Sequence, residues 1–200
     1  MIKKYSVLIC LVTSVFLIIL ASQGYPGGSM LDKNSIGFDW STNFLSNLFA
    51  PKAINGSENA GRIWAIIGMA FHSIGYGIFF MNMAKKIPSK KWATILKIIG
   101  IFNIILIFLI ATPLHDIGTI SIILTLIGLF IVTIFILKSK LHLFKICCII
   151  CMLTYYCFFF VFSFGYLGWS AIMQKVYIIS SMILVLGLDY FTQYEHFIQI

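Results

Sequence analysis

Long runs of apolar side chains, separated by short polar segments, make up most of this chain. A helix needs roughly 20 apolar residues to cross a hydrocarbon core about 30 Å thick. The four interior runs reach that length, and the first and last are shorter. Because the runs are continuous, they argue against the alternating pattern of a strand barrel. We therefore predict an all-α, polytopic membrane helix bundle with six transmembrane helices. The predicted spans are residues 5–21, 63–84, 92–112, 117–137, 146–167 and 176–190.

The first run also has a second interpretation. Lys3 and Lys4 precede an apolar stretch that reaches Ala21 and Ser22, an order that resembles a secretory signal peptide. The residues before that exit fit a cleavage site only loosely, so we favour an uncleaved first span. Either interpretation leaves the orientation of the later spans unchanged.

One large loop, residues 22–62, separates the first span from the second. Its apolar positions have the spacing of a short amphipathic helix that ends before Pro51. Those positions are Phe38, Leu45, Leu48 and Phe49. Aromatic side chains in such a helix suit the headgroup zone of a bilayer. We expect an interfacial helix that either packs on the bundle as a lid or contacts a substrate or a lipid.

Composition also indicates a membrane protein, and it bears on whether nucleic acid or lipid is the expected partner. The chain is 60% hydrophobic and 10% charged, whereas a soluble domain carries about 25% charged residues. The net charge of +8 could fit nucleic acid, but the basic residues lie in short clusters between apolar runs. All of them except Arg62 are lysine, and arginine is the preferred residue for phosphate recognition. We expect membrane lipids as partners, and no nucleic acid.

The charge pattern also predicts orientation, since lysine and arginine concentrate in cytoplasmic loops. With a cytoplasmic N-terminus, ten basic and two acidic residues fall inside, against four of each outside. The whole net charge then lies on the cytoplasmic face. We predict a multi-pass protein with both termini in the cytoplasm, and take a bacterial plasma membrane (inner membrane) as the working assumption. The short remaining loops and the lack of a linker indicate one integral membrane domain over residues 1–200.

His72 lies in the second run, nine residues beyond Ile63, which is roughly 14 Å along a helix. Polar side chains at such a depth are costly and often functional. One interpretation is a core histidine hydrogen-bonded to another helix. The other is a histidine that binds a ligand or relays a proton.

A second set of polar residues is expected at the outer face. His115 and Asp116 form a tight turn after the third span, on the same side as Asp39. Histidine and carboxylate side chains are typical zinc ligands, and bound zinc can activate water for hydrolysis. We treat His72, His115, Asp116 and Asp39 as candidate catalytic residues, the first three also as candidate zinc ligands. No cofactor is predicted beyond this candidate zinc ion. The alternative is that Asp116 caps the next helix and Pro113 ends the previous one.

Two short motifs resemble a known family. Asn43-Phe-Leu-Ser-Asn-Leu48, with Asn59, and Thr112-Pro113-x-His115 are similar to motifs of the membrane family called domain of unknown function 998. Its members look like six-span prokaryotic proteins, and the resemblance extends from the outer loop through the fourth span. Asn47 stands where the family pattern has aspartate, and Phe49 where it has glycine. The resemblance implies the architecture and no particular activity.

Three functions fit these features. The first is a bundle that binds a lipid or small apolar ligand at its outer-leaflet face. Its candidate ligand-binding residues are Trp40, Asn43, Ser46 and Asn47. The second is an intramembrane metal-dependent hydrolase acting on lipids. The third is a small transporter or accessory subunit, although neither inverted repeats nor broken midplane helices are evident. Whether the protein is an enzyme, and which proteins it contacts, stay open.

Overall fold

The computed structural model describes residues 4–198, so Lys3 and its predicted cytoplasmic position lie outside the described residues. Helices dominate this part of the chain, which contains no β-strand beyond two isolated bridges in the large loop. The elements are α1 Ser6–Gln23, the 3-10 helix Leu45–Phe49, α2 Arg62–Lys86, α3 Lys90–Leu109, α4 His115–Gly118, α5 Ile120–Lys138, α6 His142–Ser163, α7 Leu167–Phe191 and α8 Glu195–Ile198.

Six of these segments are long and apolar enough to cross a membrane, with α4 and α5 together forming the fourth. The predicted six-helix bundle is confirmed, and the first five spans begin and end within a few residues of their predicted limits. The sixth does not, because α7 begins at Leu167 rather than Val176. The outer turn expected at residues 168–175 is therefore wrong. Gln174 and Lys175, which lie in this segment, hydrogen-bond to the large loop and do not end the helix.

The six spans form a closed ring in the order α1, α2, α3, α5, α6 and α7. The ring closes where α7 contacts both α1 and α2. Short connections at residues 87–89 and 139–141 hold neighbouring helices antiparallel. We call the end that carries residues 24–61 the loop end, and the opposite end, with residues 85–97 and 138–145, the lysine end.

The main core lies inside the ring and is built from large apolar side chains. Phe79, Phe80 and Met83 of α2 are fully buried there, against Leu129 of α5 and Leu188 of α7. The helices expose a second set of apolar side chains on their outer faces, including Ile123 and Phe130 of α5 and Leu153 of α6. A helix that is apolar on both faces suits a membrane span, since one face meets protein and the other meets lipid.

Close packing of α2 on α3 depends on a pair of glycines. A Cβ added at Gly100 would lie 2.8 Å from the carbonyl oxygen of Gly77. That distance leaves no room for a side chain, so the two backbones meet directly. This contact fixes the spacing of α2 and α3 toward the lysine end.

The predicted short helix of the large loop is present as the 3-10 helix Leu45–Phe49, which ends before Pro51 as expected. Residues 36–44 are not helical. Leu48 and Phe49 are buried with Tyr25 in a second, smaller core at the loop end. Its apolar residues thus pack into the protein, as in the lid interpretation.

Candidate functional site

Two buried asparagines hold the large loop in shape. Asn59 donates from Nδ2 to the carbonyl oxygens of Leu48 and Ala50, both at 3.0 Å, and its Oδ1 accepts from the amide of Gly61 at 3.1 Å. Asn43 is 0% exposed and donates to the carbonyl of Gly28 at 2.8 Å. A buried backbone group without a partner is costly, so each asparagine supplies bonds that the irregular loop cannot make for itself.

The first turns of α7 fasten the loop to the bundle. Lys175 donates from Nζ to the carbonyl oxygen of Asn43 at 2.6 Å and to that of Ala171, one turn earlier, at 2.7 Å. The Oε1 atom of Gln174 accepts from the amide of Leu45 at 2.8 Å. These bonds explain why Gln174 and Lys175, the polar residues before Val176, do not end the helix. The large loop supplies their hydrogen-bond partners.

A tight turn of the loop is likewise held by a polar side chain, that of Asp39. Its carboxylate accepts from the Ser41 hydroxyl at 2.6 Å, the Thr42 hydroxyl at 2.7 Å and the Ser41 amide at 2.8 Å. The hydrogen bonds from Ser41 and Thr42 lower the pKa of Asp39 below its usual value. Asp39, predicted as a candidate catalytic residue, is therefore engaged in shaping the loop.

A pocket of 410 Å³ lies where this turn faces the start of α7, and we call it the loop-end pocket. It combines a loop wall with a wall of aromatic and apolar side chains. The loop supplies Leu31, Ser41 and Thr42, while Tyr166, Leu167, Gly168, Trp169 and Ile172 come from the other side. Trp169 is 66% exposed and Tyr166 58%. The pocket thus joins two hydroxyl groups to an open aromatic surface.

The predicted ligand-binding residues are not among those that line this pocket. Asn43 is fully enclosed, so it braces the loop and offers no surface to a ligand. Trp40 is exposed and its ring meets Phe38 edge-on at 5.1 Å. Ser46 is half-buried, and the Oδ1 atom of Asn47 is buried without a hydrogen-bond partner in the described part of the chain.

His72 lies in the middle of α2, away from the loop. Its ring stacks on Tyr76 with centroids 4.6 Å apart, and the Tyr76 hydroxyl meets that of Ser181 of α7 at 2.6 Å. The structure gives the His72 imidazole no hydrogen bond to residues 4–198, so the expected bond to another helix is not present there. His72 packs as an aromatic ring in contact with a polar bridge between α2 and α7.

His115 and Asp116 lie together at the first turn of α4. The Nδ1 atom of His115 is 3.5 Å from Oδ1 of Asp116, whose side chain is fully exposed. Within residues 4–198, no three histidine, cysteine, aspartate or glutamate side chains form a group that could hold a metal ion. The four candidates His72, His115, Asp116 and Asp39 therefore make no common metal centre, and zinc stays a prediction without geometric support.

Sequence reasoning missed the residues that line most of the pocket. Tyr166 and Trp169 were placed at the end of one span and in a turn, although tyrosine and tryptophan are enriched at membrane interfaces. That enrichment was the signal available for them. Leu31, 64% exposed in the loop, carried no comparable signal.

Comparison of the chain with protein-family models, curated proteins and solved structures finds no match. The resemblance to the domain of unknown function 998 family thus stays a prediction.

Proposed function

We propose that this six-span membrane protein binds a lipid or small apolar ligand in the loop-end pocket, at the outer leaflet of a bacterial plasma membrane. The observation that carries the proposal is the pocket itself, an aromatic and apolar concavity at an end of the bundle where headgroups would lie. Tryptophan and tyrosine favour that zone because one part of each ring is apolar and the other polar.

The two walls of the pocket fit different parts of such a ligand. Trp169, Leu167 and Ile172 offer apolar surface for a chain or ring. The hydroxyls of Ser41 and Thr42 already donate to Asp39, so their oxygens are left as acceptors. A ligand that presents a hydroxyl, amide or ammonium group above an apolar body matches both walls.

The distribution of lysines supports the proposal that the pocket faces the outer leaflet. Residues 85–97 and 138–145 gather at the end opposite the pocket, and basic residues favour the cytoplasmic side. The same assignment places both termini in the cytoplasm. No observation in residues 4–198 favours the hydrolase or the transporter over ligand binding.

The test is ligand retention by the full-length protein in detergent, measured by native mass spectrometry after adding a panel of phospholipids and diacylglycerol. We expect the wild type to retain one such species. Trp169→Ala should lower its affinity at least fivefold, since burying roughly 40 Å² of the exposed ring at about 25 cal/mol per Å² contributes about 1 kcal/mol. Trp64→Ala is the matched control, because Trp64 is exposed at the same end of the bundle and outside the pocket.

Two outcomes would reject the proposal. The wild type would show no preference for any apolar species, or Trp169→Ala and Trp64→Ala would reduce retention equally. Equal losses would mean that lipids coat the whole bundle and that the pocket selects nothing.

A further inference from the structure

A groove of 640 Å³ runs between α2 and α3 at the lysine end, opposite the loop-end pocket. From α2 it is lined by Ile78, Met81, Asn82, Ala84 and Lys85, and Ser6 of α1 borders it as well. From α3 it is lined by Lys90, Ala93, Thr94 and Lys97. The α3 residues are spaced as i, i+3, i+4 and i+7, and so are the α2 residues apart from Ala84. Each helix therefore turns one continuous face to the groove.

The three lysines of this groove differ from the lysine beside them. Lys86 donates to the carbonyl oxygens of Leu188 at 3.1 Å and Asp189 at 2.7 Å, and so is held by α7. Lys85, Lys90 and Lys97 are exposed and have no acceptor within residues 4–198. In the described part of the chain, no acceptor takes up their charge.

Acidic groups do not cancel this charge. Within residues 4–198, the one carboxylate that hydrogen-bonds to the lining is that of Asp189, which accepts from Nδ2 of Asn82 at 3.1 Å. Lys86 interacts favourably with that same carboxylate. The groove therefore presents three ammonium groups to any molecule that enters it, and α3 adds the positive end of its dipole, since it begins at Lys90.

Lys97 lies deeper along the groove than the other two lysines. It is seven residues beyond Lys90, which is roughly 10 Å farther along α3. A lysine at that depth extends toward the interface unless an anion meets it. Ile78 lies equally far from Lys85 on α2 and, with Met81 and Ala93, makes the rest of the groove apolar.

We propose that this groove binds an anionic phospholipid of the leaflet opposite the loop-end pocket. The headgroup phosphate is held by Lys85, Lys90 and Lys97, and an acyl chain lies along Ile78, Met81 and Ala93. Basic pockets between transmembrane helices are a recurring way to bind such headgroups. The site is separate from the loop-end pocket and does not depend on it.

The experiment measures binding of phosphatidylglycerol and phosphatidylcholine to the full-length protein in detergent, by native mass spectrometry. The variant combines Lys85→Gln, Lys90→Gln and Lys97→Gln. Its matched control combines Lys138→Gln, Lys140→Gln and Lys145→Gln, which removes the same charge from the same end of the bundle outside the groove. Glycerol 3-phosphate serves as a soluble competitor that lacks acyl chains.

We expect the wild type to bind phosphatidylglycerol at least about tenfold more tightly than phosphatidylcholine, given the attraction of each lysine for an anionic headgroup. The groove variant should lose that preference, and the control should keep it. Glycerol 3-phosphate should compete only at far higher concentration than the lipid.

Equal losses in both triple variants would overturn the proposal, because they would report the general charge of the lysine end. Equal binding of the two lipids by the wild type would overturn it as well. Competition by glycerol 3-phosphate at the concentration of the lipid would assign the site to free phosphate compounds.

Single substitutions decide the question if the triple variant does not fold. Lys97→Gln should weaken phosphatidylglycerol binding severalfold. Ala93→Leu keeps every charge and narrows the apolar part of the groove, so it should weaken the lipid and leave glycerol 3-phosphate unaffected. An unchanged lipid affinity in both variants would contradict the proposed site.

Discussion

Apart from Lys86, which donates to backbone carbonyls of α7, the polar groups at the two ends of this bundle are used in opposite ways. At the loop end, Asn43, Asn59 and Lys175 direct their polar atoms at backbone carbonyls of the loop. At the lysine end, Lys85 and Lys97 meet no acceptor in the described residues. Polar groups used internally leave an apolar, aromatic surface, whereas unused cations leave a surface for anions. We therefore expect the two ends to bind different ligands.

The comparison predicts its largest effect at Asn59. Asn59→Ala removes three hydrogen bonds from a buried position, and at about 1 kcal/mol each the loss is roughly 3 kcal/mol. The free energy of unfolding in detergent should fall by that amount. Asn34→Ala, in an exposed part of the same loop, should change little. A loss in Asn59→Ala no larger than in Asn34→Ala would show that the loop does not depend on this asparagine.

The second-largest effect is expected at Lys175. In Lys175→Met, the carbonyl of Asn43 loses its 2.6 Å bond, and an unpaired, part-buried acceptor costs about 2 kcal/mol. Amide exchange in residues 39–45 should accelerate, because the loop is released from α7. The control is Lys33→Met, since Lys33 is exposed in the loop. Unchanged exchange in Lys175→Met would mean that other contacts hold the loop in place.

Asp39 should give a smaller effect that depends on pH. Hydrogen bonds lower its pKa in the folded protein, so its ionised form stabilises the fold above the unfolded pKa. That contribution is lost as pH falls through the depressed, folded value. The Tm of wild type should therefore exceed that of Asp39→Asn at pH 6, and the gap should close toward strongly acidic pH. A gap that stays constant across this range would show that Asp39 acts in some other way.

The smallest effect on stability is expected at the lysine end. Combining Lys85→Gln, Lys90→Gln and Lys97→Gln should leave the free energy of unfolding in lipid-free detergent within about 0.5 kcal/mol of wild type, as for other exposed substitutions. A loss comparable to that of Lys175→Met would erase the contrast between the two ends, since these lysines would then be structural too.

Apolar length predicted the spans well because it is a local property of the sequence. The start of α7 was not predictable in that way, because Gln174 and Lys175 look like a boundary until the loop that binds them is in place. Asn43 shows the same limit. Its position in an aromatic loop suggested ligand contact, and only the folded loop reveals that it is enclosed.

The sequence predicts a ligand site on the large outer loop, and the loop-end pocket is lined in part by residues of that loop. The pocket, however, pairs Thr42 with Trp169, which are far apart in sequence. No periodicity or local spacing connects such a pair, and the proposed metal residues, each typical of a ligand set, do not converge.

The central claim, ligand binding in the loop-end pocket, is tested most directly by tryptophan fluorescence. Two variants each keep a single tryptophan, Trp169 or Trp64, with phenylalanine at the other tryptophan positions. Each is titrated in detergent with increasing amounts of a brominated phospholipid, through and beyond about one equivalent. We predict saturable quenching of Trp169 and little quenching of Trp64. Equal, unsaturated quenching of the two would contradict a ligand site in the pocket.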